Sequence, residues 1–129
     1  MAIKVTNVPA RLAETLVIQT AADTTNTGSG VNIFSGTSKG NKFYCWKIDG
    51  SLVSSAFFVK VQQATSYTLN SDPDWRFFCP ANSVATYIFP EGQSFSTGIS
   101  FIATTTTATK ATSQTDPAKA VVVTVLGGT

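Results

Sequence analysis

Apolar residues recur at every second position along most of this chain, in runs too short for anything but strands. In "SSAFFVKVQQ" (54–63), Phe57, Val59 and Val61 alternate with Phe58, Lys60 and Gln62. Successive strand side chains point to opposite faces, so this run reads as a half-buried strand. The same period sets Leu16 and Ile18 together in "ETLVIQTA" (14–21), Val31 and Ile33 in "GVNIFSG" (30–36), and Tyr44, Trp46 and Ile48 in "KFYCWKID" (42–49). "WRFFCP" (75–80), "VATYIFP" (84–90), "GISFIATTT" (98–106) and "AVVVTVLG" (120–127) complete the set. Turn-forming stretches separate them: "NTGSG", "SGTSKGN", "NSDPD", "PANS", "PEGQ" and "TDPAK".

About eight short strands with no sustained helical period predict an all-β chain, an antiparallel β-sandwich or jelly-roll-like fold. "PARLAETL" (9–16) is the best helical stretch: Pro9 suits the opening of a turn, and Leu12 and Leu16 share a face. The competing reading makes it part of an extended arm. The division is then a short N-terminal arm, 1–12, and one β-sandwich domain, 13–129. Within the domain, Asp49-Gly50 is a favoured hairpin turn. Residues 110–119 are expected as an exposed loop between the last two strands. The final run has two apolar faces, which places it inside a sheet.

Function is constrained mostly by exclusion. The chain has no histidine, so the usual general base and metal ligand is missing. It has no P-loop, GxGxxG or CxxC motif, and although "GTSKG" (36–40) matches GxSxG by letter, the chain has no histidine to activate Ser38. Asn70, Asp72 and Asp74 in "NSDPD" alternate as in a calcium loop, but Trp75 stands where that loop needs glycine and no closing glutamate follows. No catalytic, cofactor-binding or metal-binding residue is assigned, and the expectation is a non-enzymatic protein without a cofactor. The nine Lys and Arg residues are scattered, with no stripe to follow a phosphate backbone, so nucleic acid is not an expected partner. No apolar stretch approaches the ~20 residues of a membrane helix, so neither is a membrane. Nor does the start resemble a signal peptide, which points to folding in a cytoplasm and to free thiols at Cys45 and Cys79.

What remains is surface. Charged residues make up only 12% of the chain, about half the usual share, and Thr and Ser replace them. Hydroxyls can be covered by another protein at low desolvation cost. The Thr run at 104–107 suits a sheet face that meets solvent or a neighbouring subunit. In the doublets Phe57-Phe58 and Phe77-Phe78, one ring of each must point away from the core, so Phe58 and Phe78 are candidate interface residues. Ile3, Val5, Val8 and Leu12 give the arm apolar residues but no fold of its own, which makes them candidates for ordering against a neighbour. Tyr44 with Trp46, or Trp75 with Phe77, has the makings of a sugar-stacking platform, though the inward face of a strand uses the same residues for a core.

The short arm, the Thr/Ser/Ala-rich strands, the low charge and the ending "FPEGQSFSTGISFIATTTTATKATSQTDPAKAVVVTVLGGT" resemble the small β-sandwich virion proteins of tailed bacteriophages, of the capsid cement or decoration type. That resemblance implies a homo-oligomer, often a trimer, that reinforces contacts between copies of the major capsid protein or another virion protein. It also implies a virion location, after assembly in the host cytoplasm. The alternative is a glycan- or receptor-binding module, or a tail or fibre component.

Overall fold

The computed structural model describes the backbone at residues 14–20, 31–35 and 42–128, with side chains from Lys42 to Gly127. The arm at 1–12, with Ile3, Val5, Val8 and Leu12, lies outside the described residues. The described residues are all-β and contain no helix. The strands are β1 (Glu14–Thr20), β2 (Val31–Ser35), β3 (Lys42–Gly50), β4 (Phe57–Gln62), β5 (Trp75–Cys79), β6 (Ser83–Ser94), β7 (Gly98–Thr104) and β8 (Val121–Gly128).

Six of these strands, not the expected eight, carry described side chains. They make two antiparallel three-strand sheets, β8-β3-β6 and β7-β4-β5. β1 and β2 extend them by backbone pairing, β1 beside β8 and β2 beside β7. β8 therefore lies inside its sheet, as its two apolar faces predict.

The inner faces of both sheets supply one core. From one side come Phe43, Trp46 and Ile48 of β3 with Val121, Val123 and Val125 of β8; from the other come Phe57, Val59 and Val61 of β4, Phe77 and Cys79 of β5, and Ile99, Phe101 and Ala103 of β7. Each side chain of this size contributes roughly 1.5–3 kcal/mol on full burial. Aromatic rings join the sheets. The Trp46 ring lies 5.3 Å from Phe77 and 5.7 Å from Phe101, and the Phe43 ring lies 5.0 Å from Trp75. The first is a tilted contact and the other two are edge-on; aromatic pairs of this kind add about 0.5–1.5 kcal/mol each.

The doublets divide as the two-residue period requires: Phe57 and Phe77 are buried in the core, and Phe58 and Phe78 point outward. Asp49-Gly50, however, does not close a hairpin. β3 pairs with β6 and β8, while β4 belongs to the other sheet. The turn after Gly50, held by Val53 N donating to Gly50 O at 3.0 Å, carries the chain from one sheet to the other. Asp49 Oδ1 accepts from Ser51 N, and hydrogen bonding by the Ser51 side chain and then its backbone holds the Asp49 carboxyl below the usual carboxylate range. Glycine is needed at position 50 for space. A Cβ there would stand 2.7 Å from Phe57 Cζ and 3.1 Å from Cys79 Sγ.

Candidate interaction surfaces

The outer faces of the two sheets differ in what covers them. On β7-β4-β5 the outward residues form rows across the strands: Ile102, Lys60 and Arg76 in one, Thr104, Phe58 and Phe78 in the next. The segment after β7 turns back over this face. Lys60 is fully buried, and its ammonium donates to Ala108 O and, at 3.0 Å, to Gln114 Oε1. Burial, then the nearby Arg76 charge, lowers its pKa. Arg76 donates to Thr107 O at 2.9 Å, and its guanidinium sits 4.1 Å above the Phe58 ring.

The Thr run anchors this cover. Thr104 Oγ1 donates to Thr115 O and accepts from Thr106 N, while Thr115 N donates to Thr106 Oγ1. Thr104 is fully buried, so its hydroxyl serves the chain's own loop and not solvent or a neighbour. The loop at 110–119 is accordingly exposed only in part: Lys110, Thr112 and Lys119 are exposed, but Pro117 is buried. A second loop reaches the first through Asn70 N, which donates to Ala111 O at 3.0 Å. It is tied to β4 by the Gln62 side-chain amide, which pairs with both N and O of Thr68. Tyr67, buried in this second loop, has a hydroxyl with no hydrogen-bond partner, and burial pushes its pKa up to about 12.

The outer face of β8-β3-β6 differs. Cys45 of β3 pairs with Leu126 and Ile88, Lys47 with Thr124 and Thr86, and Asp49 with Val122 and Val84. Paired residues share a face, so these nine side chains form three rows with aliphatic groups at the corners. Ile88 is 67% exposed and Val84 49%. The face spans roughly 10 Å across the strands and 14 Å along them. Beside the first row, four residues of β6, Phe89 to Gly92, stand opposite the single residue Tyr44, where the register shifts. The shift opens a hollow of about 380 Å³ lined by Phe89, Pro90, Glu91 and Gly92. Gly92 makes this bulge possible, because its φ is +80° and the Tyr44 ring lies against its Cα.

Of the sequence-derived interface candidates, Phe58 and Phe78 stand side by side with ring centroids 5.4 Å apart. Phe58 is half-buried under Arg76, and Phe78 is 44% exposed. The larger exposed apolar surface, Ile88 and Val84, was missed. Its signal was "SVATYIF", where both alternating sets are apolar: Ala85, Tyr87 and Phe89 pack on the core and Val84 and Ile88 do not. Trp46 is buried and Trp75 is partly buried against the core, edge-on to Phe43, so the two tryptophans face inward and do not form an open sugar platform. In "NSDPD", Asp74 Oδ2 accepts from Gln63 N at 2.7 Å, a turn-capping role. Among the described residues no group of three potential ligands is placed to hold a metal ion. No helix among them is long and apolar enough to cross a membrane. No family model, curated protein or solved structure matches this chain.

Proposed function

We propose that this chain is a non-enzymatic virion structural protein of a tailed bacteriophage, a capsid cement or decoration protein that stabilises the head through contacts with its own copies and with the major capsid protein. The carrying observation is the contrast between the two outer faces. One is covered in part by the chain's own loop, while the other leaves Ile88 and Val84 in water at the corners of a face whose middle row is Thr124, Lys47 and Thr86. Exposed aliphatic corners on a sheet face that otherwise carries mainly hydroxyls are suited to burial against another protein. The strand order β1-β8-β3-β6 facing β2-β7-β4-β5 supports a jelly-roll-like β-sandwich over residues 13–129, an architecture used by viral capsid proteins among others. The inward placement of Trp46 and Trp75 favours this reading over a glycan-binding one. The protein then resides in the virion after assembly in the host cytoplasm, as a homo-oligomer.

Counting copies in purified particles tests this. A cement protein is present in hundreds of copies per particle. A few copies, or none, refutes the cement role, and a few copies together with retention of a glycan on an array establishes the receptor-binding alternative.

A further inference from the structure

We infer that the exposed face of β8-β3-β6 is the docking site for residues 1–13 of a second copy of this chain, with the arm crossing the row Leu126–Cys45–Ile88 into the hollow at Phe89–Gly92. This deepens the proposed function by naming where the arm goes, but its test needs no capsid, so the two can fail separately.

Three observations select this occupant. The first is where the arm begins. β1 starts at Glu14, paired with Gly127 at the end of the sheet, and Thr15 pairs with Leu126, the first member of the apolar row. The arm is therefore joined to the domain beside this row. Residues 10–13, Ala-Arg-Leu-Ala, contain no Gly, Pro, Asn, Asp or Ser to reverse the chain. Thirteen residues reach at most about 45 Å, enough to cross the face of a neighbouring copy.

The second observation is charge. Residues 1–13 contain Lys4 and Arg11 and no acidic residue; the hollow carries the exposed carboxylate of Glu91, with the Lys42 stem against Gly92, and Lys47 lies one row beyond the row the arm crosses. The third is chemical match. Ile3, Val5, Val8 and Leu12 are aliphatic, as are Ile88 and Leu126, and the hollow has an apolar floor in Phe89 and Pro90 with room for a branched side chain. Because the same arm and the same face occur on every copy, head-to-tail docking either closes a ring or continues as a chain of copies.

The native thiol of Cys45 lies in the middle of the row, so it reports docking directly. Full-length Val8→Cys protein, mildly oxidised, should give disulfide-linked dimers and longer ladders on a non-reducing gel. Adding Cys45→Ser should abolish them. Adding Ile88→Lys, which puts a charge at a 67% exposed position where it does not disturb the core, should lower their yield at least tenfold. Sedimentation of the protein lacking residues 1–12 should show monomers where the full chain self-associates. A disulfide confined within one chain, a ladder unaffected by Ile88→Lys, or self-association unchanged by the truncation would overturn the inference.

Discussion

Gly50→Ala puts one methyl group against Phe57 and Cys79 of the opposite sheet, and the structure gives its size of effect. Two terms compete. Removing a glycine restricts the unfolded chain and stabilises by about 0.4–1 kcal/mol where the native backbone suits alanine. Against this, the new Cβ would lie 2.7 Å from Phe57 Cζ and 3.1 Å from Cys79 Sγ. Ordinary carbon–carbon contact is about 3.5–4.0 Å, so the ring must retreat by about 1 Å. Phe57 and Cys79 are both fully buried. Overpacking of this kind costs about 1–3 kcal/mol, and a ring displaced from a filled core belongs at the upper end. The crowding term wins, with a net loss near 2 kcal/mol. For a chain of 129 residues each kcal/mol moves the Tm by roughly 4 °C, so the expected fall is about 8 °C. Calorimetry gives the Tm, and urea titration gives the free energy. Phe57→Leu should cost at least 1 kcal/mol less in the Gly50→Ala background than alone, because it relieves the clash. A Tm unchanged or raised by Gly50→Ala, or strictly additive losses, would refute the reasoning.

The remaining expectations concern the cover over β7-β4-β5 and the thiols. Tyr67→Phe removes a buried hydroxyl with no partner and should stabilise by about 1 kcal/mol in urea titration at neutral pH. The raised Tyr67 pKa contributes stability that is present below about pH 10 and is lost as pH rises towards 12, so Tyr67→Phe should flatten the alkaline fall between urea titrations at pH 10 and 11.5. Thr104→Val, which breaks the bonds to Thr115 O and Thr106 N, should cost about 1–2 kcal/mol and speed amide exchange at Thr106 and Thr115. Both cysteines are free, and burial raises both pKa values. Alkylation in denaturant without reductant should label two thiols, whereas in the native state half-buried Cys45 should react well before Cys79.

Local alternation was enough to locate the strands, because burial on one face writes the period directly into the sequence. Phe57-Phe58 and Phe77-Phe78 show it, with one ring inward and one outward in each pair. At the β3 register shift, however, alternation misassigned a face: Phe43, not Tyr44, joins Trp46 and Ile48 in the core. Pairing was less legible. Asp49-Gly50 has hairpin chemistry, but the turn leads across to the other sheet, and only long-range contacts with β6 and β8 decide that. The fate of the Thr run was hidden for the same reason: a strand-end hydroxyl faces solvent unless a loop ten residues later returns to it, as Thr115 does. Lys60 carried the opposite bias. A lysine on an outward face reads as exposed, and its burial depends on the carbonyl of Ala108, which nothing local announces. In the candidate surface, Phe58 and Phe78 were legible from the doublets, while Ile88 and Val84 were masked by the equally apolar Tyr87 and Phe89 on the other face of β6.

Addition of purified protein to capsid shells that lack it tests the functional claim most directly. Full-length protein should bind in stoichiometric, saturable amounts and raise the temperature at which the shells rupture. Ile88→Lys protein, folded to the same Tm, should bind at least tenfold more weakly and give little protection. Full-length protein that neither binds nor protects the shells, or Ile88→Lys protein that does both as well as the unaltered chain, would contradict the account.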